Sequence, residues 1–152
     1  MRSDLHVRSG LVAVFAALAL AATASFGQER SVGGLVINLG LMTAAKAMQA
    51  DGHREAHERA FTNSSAAEHL LVTIEDAKTK RRIGDARVVV YVTDPKGKVE
   101  SRPMLRTQAA GLADYSEIFQ FGWTGKYEIR VVVIPTPDAK PVEARFKVNH
   151  SL

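Results

Sequence analysis

Short segments in which apolar and polar residues alternate follow one another along most of the chain, and they constrain the fold more than any other feature. In "PVEARFKVN" (141–149) every second residue from Val142 to Val148 is apolar, and most of the residues between them are charged. Because successive side chains of a strand point to opposite faces of a sheet, this pattern is typical of antiparallel strands with one buried face. Similar alternation predicts strands within 33–41, 68–76, 86–94, 101–108, 112–121 and 126–134.

Turn-forming residues separate these segments. "DPKG" (94–97) places proline and glycine in turn positions, "FGWTG" (121–125) has two glycines, and "PTPDAKP" (135–141) has three prolines, which do not fit a central strand. About seven short strands with frequent turns favour an all-β fold, an immunoglobulin-like antiparallel β-sandwich. Tyr127, near the start of a late strand, fits the tyrosine corner of such domains or is an ordinary core aromatic.

Residues 43–61 interrupt the strand pattern. "TAAKAMQA" (43–50) has a helix-forming composition, and Thr43 is a suitable cap for its start. A break at Asp51-Gly52 is followed by "HREAHERAF" (53–61), which again has a helical composition. We therefore predict a short helical insertion over residues 43–61, formed by two short helices or by one kinked helix.

The first 27 residues have the layout of a secretory signal peptide. Arg2 and Arg8 precede an apolar run over residues 11–22, and small residues follow. The run is shorter than the roughly 20 apolar residues that span a bilayer, although an uncleaved anchor helix is the alternative. We predict cleavage after Ala24 or Gly27, a periplasmic or secreted product without a stable membrane span, and one β-sandwich domain over residues 28–152 that includes the insertion.

Cysteine content and charge exclude several classes of function. The chain has no cysteine, which excludes disulfides, thiol catalysis and a lipid anchor on cysteine. Removal of residues 1–27 takes away two arginines and one aspartate, so the formal net charge falls only from +4 to +3. The basic run "KTKRR" (78–82) is flanked by Asp76 and Asp85 and contains no aromatic residue. It favours a solvated turn, and we predict no nucleic-acid binding.

Two of the five histidines, His53 and His57, lie four residues apart in "DGHREAHER" (51–59). On a helix they share one face, as histidines that bind a single metal ion commonly do. A zincin motif requires glutamate directly after the first histidine, but Arg54 occupies that place. Glu55 lies about 200° round the helix from His53 and points away from a shared ion. The spacing therefore excludes a metalloprotease.

The remaining residues of this segment place both histidines on its less polar face. His53, Ala56, His57, Ala60 and Phe61 follow the spacing of one helix face, whereas the charged residues lie on the other side. We therefore expect the charged residues to face water and the two histidines to face the rest of the protein.

A third histidine, His69, opens the next strand on the face opposite to the apolar residues of that strand. If the insertion folds over this face, His53, His57 and His69 converge, and Met48 or Met42 adds a thioether. Histidine and methionine suit copper. We predict a metal site with His53, His57, His69 and Met48 as candidate ligands, copper as the ion and zinc as the alternative. Histidines that are simply packed or hydrogen-bonded, or that form a pH-sensitive contact, are the competing interpretation.

The sequence contains no G-x-S-x-G, G-x-G-x-x-G, P-loop or C-x-x-C motif, and we expect no enzymatic activity. Besides metal binding, the chain fits an interaction module that binds another cell-envelope protein without metal. A third interpretation is a small-ligand binder that uses the aromatic residues Tyr115, Phe119, Phe121 and Trp123, which also suit a core.

Two stretches, "DAKTKRRIGDARVVVYVTDPKG" (76–97) and "GKYEIRVVVIPTPDAKPVEARFKV" (125–148), together resemble a broad group of exported bacterial domains. These are small immunoglobulin-like domains of the YtkA-like and FixH-like kind, and the resemblance covers about half of the predicted mature chain. It implies a β-sandwich and a role in metal or copper handling or in the assembly of respiratory oxidases.

Overall fold

The structure is a computed structural model that describes residues 26–43, 66–109 and 112–152. These ranges form two antiparallel sheets, with the strand orders β1-β2-β3-β7-β6 and β5-β4-β8-β9. The strands are β1 (Phe26–Val32), β2 (Leu35–Thr43), β3 (Ala67–Asp76), β4 (Arg87–Thr93), β5 (Val99–Pro103), β6 (Leu105–Ala109), β7 (Leu112–Gln120), β8 (Gly125–Ile134) and β9 (Val142–His150). Within the described ranges, no helix is long and apolar enough to cross a membrane.

The alternating residues of both sheets meet in one hydrophobic core, which confirms the all-β prediction and the assignment of buried faces. Its members that are at most 1% exposed come from six of the nine strands and from the residue after β7: Ile37, Leu70, Val72, Ile74, Val90, Phe119, Phe121, Tyr127, Ile129, Val131, Val133 and Phe146. Burial of apolar side chains contributes about 1.5–3 kcal/mol per large residue. The packing of two sheets around this core makes the molecule a β-sandwich.

The described residues contain nine strands rather than about seven, and β1 is the first addition. Residues 26–32 are mostly polar or small, so the sequence pattern does not mark them as a strand. They pair with β2 through the turn at Gly33 and Gly34, which have φ angles of 57° and 78°. A two-residue hairpin turn of this kind needs positive φ at both positions, which glycine adopts without strain. The predicted strand at 33–41 therefore begins two residues late, at Leu35.

The second correction concerns residues 101–108, which the sequence pattern joins into one strand. Pro103 ends β5 in one sheet, and β6 begins at Leu105 in the other sheet. Met104 lies between them with a buried side chain, and its N–H donates to the carbonyl of Val88 at 2.9 Å. Proline has no N–H to continue the ladder, so the chain crosses between the sheets here.

The predicted helical insertion lies outside the described residues, apart from Thr43, which is the last residue of β2. The ligand candidates Met48, His53 and His57 and most of the predicted signal peptide also lie outside them. β1 begins at Phe26, so cleavage after Ala24 leaves this strand whole and cleavage after Gly27 removes its first two residues. Both positions stay predictions.

Two buried tyrosines fasten loops to the core. The Tyr127 hydroxyl donates to the Trp123 carbonyl and accepts from the Trp123 N–H, both at 3.0 Å. This is the contact with upstream backbone that a tyrosine corner makes. The Tyr115 hydroxyl donates to the Ile83 carbonyl at 3.1 Å and accepts from the Ala86 N–H at 2.9 Å. Burial raises the pKa of Tyr115 above its ordinary value, so the hydroxyl stays a neutral donor.

Tyr127→Phe is expected to lower the free energy of unfolding by about 1–2 kcal/mol, because it removes both hydrogen bonds and leaves the ring in place. Chemical denaturation measures this change. Tyr91→Phe is the matched control, since the half-buried Tyr91 ring packs against Arg130 and its change should stay within about 0.5 kcal/mol. Equal losses in the two variants would show that the Tyr127 contacts add no stability.

The basic run 78–82 forms a turn, as predicted, but its last residue has a different environment. Asp76 organises the turn by accepting from the N–H groups of Lys78 and Thr79 at 3.0 and 2.7 Å. Hydrogen bonds from Thr79 and Lys78 lower the pKa of Asp76. Residues 78–81 are exposed. Arg82 instead turns to the sheet, where its Nε lies 3.1 Å from Glu75 and its Nη1 lies 2.5 Å from Asp114.

Candidate metal site

His69 lies on the outer face of the five-stranded sheet, the face opposite to the core residues Leu70 and Val72. The strand periodicity predicts this orientation, and the structure confirms it. His69 is directly opposite Met42 on β2 and Ile118 on β7, so the side chains of these three residues form one row across the sheet. A thioether and an imidazole are therefore neighbours on this face.

The outer face around His69 is buried, although a sandwich usually exposes this side of a sheet. His69 is only 4% exposed, Thr73 and Ser116 are each 1% exposed, and Asp114 is 5% exposed. The Ser116 hydroxyl has no hydrogen-bond partner among the described residues. Buried polar groups normally find partners, so an orphaned hydroxyl on the face of His69 fits a place where a further polar or ionic group binds.

The connection between β2 and β3 begins and ends beside His69. β2 ends at Thr43, which pairs with Glu68, and Met42 pairs with His69. The two described strands that flank residues 44–65 therefore end and begin within two residues of the Met42–His69 pair. Because the predicted ligands Met48, His53 and His57 all belong to this connection, chain connectivity keeps them tethered to His69 at both ends.

A second histidine with a largely buried side chain, His150, lies between the two sheets at the end of the core near Glu68. Its Nδ1 is 3.8 Å from Glu68 Oε1, and the exposed fractions of the two side chains are 10% and 7%. The rings of Phe121 and Tyr127 contact the imidazole edge-on, with centroid distances of 5.4 and 6.0 Å. The His150 Nε2 atom is buried and has no hydrogen-bond partner among the described residues.

The predicted ligand set does not include this pair, although strand parity contains the signal for it. Continuing the inward series Val142 to Val148 by one step places His150 inward on β9. Continuing the series of β3 backwards from Leu70 places Glu68 inward in the same way. Glu68 and His69 are therefore adjacent in sequence but point to opposite faces of the sheet.

Neither histidine has a complete ligand set within the described part of the chain. In those ranges, no group of three or more histidine and carboxylate side chains could hold a metal ion. His69 has one soft neighbour, the Met42 thioether, and His150 has one carboxylate neighbour. Further ligands to His69 would come from the connection that holds Met48, His53 and His57.

The aromatic residues do not form a ligand pocket in the structure. Tyr115, Phe119 and Phe121 are buried in the core. Trp123 is 47% exposed, and the Lys96 ammonium lies 3.1 Å from the centre of its ring. These positions support the core interpretation of the first three aromatics over a small-ligand site.

Comparison with solved structures finds proteins of the same fold, and two of those described below are copper-bound. It matches a DUF4426 family protein from Pseudomonas aeruginosa PAO1 with 14% identity and a TM-score of 0.62, covering 81% of this chain and 93% of that chain. The chain has the fold of this protein. A copper-bound variant of FetP from uropathogenic Escherichia coli strain F11 matches with 10% identity and a TM-score of 0.62, covering 82% of this chain and 95% of that chain. Copper-reconstituted P19 from Campylobacter jejuni matches with 14% identity and a TM-score of 0.59, covering 83% and 94%.

These identities show the fold alone. No protein-family profile matches the sequence, and no curated protein matches it. The β-sandwich that the resemblance implied is therefore supported by DUF4426, FetP and P19, and not specifically by proteins of the YtkA-like or FixH-like kind.

Proposed function

We propose that the protein is an exported, non-catalytic binding protein that handles copper, with His69 as a ligand. The observation that carries the proposal is a buried histidine directly opposite a methionine on the outer face of the sheet. Imidazole nitrogen and thioether sulfur together suit copper better than they suit hard cations such as magnesium or calcium. Proteins of the same fold are copper-bound, which supports the choice of metal.

Residues 44–65 supply the rest of the proposed site. His53, His57 and Met48 add two imidazoles and a second thioether, and both ends of this connection lie beside His69. Zinc is the alternative ion, because a set of two or three histidines also suits zinc. The signal-peptide pattern of residues 1–27 supports a periplasmic or secreted location, where the absence of cysteine would leave histidine and methionine as the ligands suited to copper.

The competing function is a metal-free interaction module that binds another cell-envelope protein. Exposed leucines at the edge of the five-stranded sheet, Leu105 and Leu112, favour this alternative. In that case His69 would be a packed histidine on the outer face of the sheet with no role in ligand binding.

Metal titration separates the two functions. The full chain is expressed with its own leader, purified in the form that accumulates, stripped with a chelator, and titrated with Cu(I), Cu(II) and Zn(II) in competition with a chromophoric chelator. We expect one copper ion per chain with a dissociation constant below micromolar, and weaker zinc binding. The absence of stoichiometric binding better than micromolar for all three ions would rule out the metal function and leave the interaction module.

A further inference from the structure

The two sheets of the sandwich have four edge strands, and three of these edges are blocked against pairing with another chain. β1 and β9 seal each other, because the side chains of Gln28 and Arg30 donate to the main-chain carbonyls of Lys147 and Arg145. A bulge between Phe26 and Gln28 further interrupts β1. Side-chain cover and bulges are common devices that prevent edge-to-edge association.

The third blocked edge is β5. This strand has five residues, ends at Pro103, and carries Glu100 and Arg102, whose side chains pair at 2.7 Å. Proline removes a main-chain donor, and charged side chains beside the edge oppose the approach of a further strand.

The fourth edge, β6, also has five residues, but it lacks the proline and the paired charged side chains of β5 and the bulge of β1. Among the described strands β6 pairs only with β7, and it contains no proline and no bulge. Its one charged side chain, that of Arg106, lies against Gly84, where an added Cβ would be 3.3 Å from the guanidinium. The guanidinium therefore lies near the loop that precedes β4.

Apolar side chains accompany this open edge. Leu105 is 53% exposed and Leu112 is 50% exposed, and strand parity places both on the outer face of the sheet with Ser116. The described residues contain five exposed large apolar side chains, and two of them are at this edge. An unblocked edge with exposed leucines is typical of a surface that pairs with another strand.

We propose that β6 pairs with β6 of a second copy of this chain, so that two five-stranded sheets join into one continuous antiparallel sheet. β6 has five residues, so a two-fold axis through its middle residue, Thr107, pairs every residue of the strand with one of its partner strand. Arg106 then lies opposite Gln108, and Thr107 lies opposite Thr107 of the second copy. Like charges are not opposed, and threonine–threonine pairs are favourable across strands.

The same arrangement brings the exposed leucines together. In this register Leu105 of one copy lies opposite Ala109 of the other copy, and Ala109 pairs with Leu112 within its own sheet. Both leucines of each copy therefore lie near the joint between the two sheets, on the same face. A single two-fold operation therefore pairs the main-chain groups of β6, keeps like charges apart and brings the exposed leucines together. A strand of another protein would have to match the main-chain groups, the charges and the apolar side chains of this edge separately.

Cysteine cross-linking on metal-free full-length protein tests the pairing, and the absence of native cysteine makes it unambiguous. Directly opposed residues of antiparallel strands have Cα atoms about 4.5–5.5 Å apart, which is within disulfide range. Thr107→Cys should form an intermolecular disulfide about tenfold faster than Ser101→Cys, a control on the blocked strand β5, because pairing raises the effective concentration at the two-fold axis. Leu105→Glu in the Thr107→Cys background should return the rate to that of the control.

Sedimentation of the wild-type chain tests the same pairing without a cysteine variant. We expect a concentration-dependent monomer–dimer equilibrium that Leu105→Glu abolishes while the circular dichroism spectrum stays that of the wild type. A wild-type chain that stays monomeric at all concentrations, or a Thr107→Cys variant that cross-links no faster than Ser101→Cys, would overturn the proposal. Because no metal is present in either experiment, neither result depends on copper binding.

Discussion

Arg82→Met is expected to lower the free energy of unfolding by about 3 kcal/mol, because it leaves a buried carboxylate without its cation. Asp114 is 5% exposed, and Arg82 contacts it through Nη1 and contacts Glu75 through Nε. Methionine keeps most of the aliphatic volume of arginine, so the loss of unfolding free energy measures the removal of the charge and not the creation of a cavity. Urea denaturation followed by circular dichroism measures the change.

The neighbouring residue provides a matched control. Arg81 is exposed, and Arg81→Met should change the free energy of unfolding by no more than about 0.5 kcal/mol. A second test is the double variant Arg82→Met with Asp114→Asn, which removes both charges and should be less destabilised than the sum of the two single variants. If Arg82→Met lowers the free energy of unfolding no more than Arg81→Met does, the ion pair between Arg82 and Asp114 does not stabilise the folded state.

His69→Gln is expected to weaken copper binding by at least about 100-fold. Removal of an outer-shell partner of a metal ligand typically costs about 10–100-fold in affinity, and removal of the ligand itself should cost at least as much. His150→Gln is the matched control, because it makes the same substitution at the other described histidine, whose largely buried side chain lies on the inner side of the sandwich. It should leave the copper affinity unchanged.

Met42→Leu refines this test. The substitution keeps the side-chain volume and removes the sulfur opposite His69, so it should weaken Cu(I) binding more than Cu(II) binding, since the thioether is a soft ligand. Competition titrations measure all four proteins, with circular dichroism as the check on folding. Loss of binding in His150→Gln with full binding in His69→Gln would move the site to the Glu68–His150 pair and contradict the proposed one.

Strand periodicity predicts most of this fold because it is a local property. The alternation around Leu70, Val90, Val131 and Phe146 identifies the buried faces correctly, since one face of each strand must meet the core. The polar segment 26–32 carries no such signal, and its strand depends on pairing through the turn at Gly33-Gly34. The division at Pro103 depends on which sheet each neighbour joins, which local alternation does not encode.

Strand parity likewise predicts only part of the candidate site. The outward orientation of His69 follows from parity alone, and parity also contains the inward orientations of Glu68 and His150. The contact between Glu68 and His150 joins residues 82 positions apart in different sheets, so it depends on how the sheets pack. The proposed convergence of His53 and His57 on His69 depends likewise on long-range contacts, and it stays a prediction.

Anomalous diffraction from a crystal of the copper-loaded full-length protein, measured on both sides of the copper absorption edge, locates the bound metal. We expect one anomalous peak on the outer face of the five-stranded sheet, about 2 Å from a ring nitrogen of His69, with further ligands from the connection between β2 and β3. A single peak between Glu68 and His150, or no ordered copper beside His69 in fully loaded protein, would contradict this expectation.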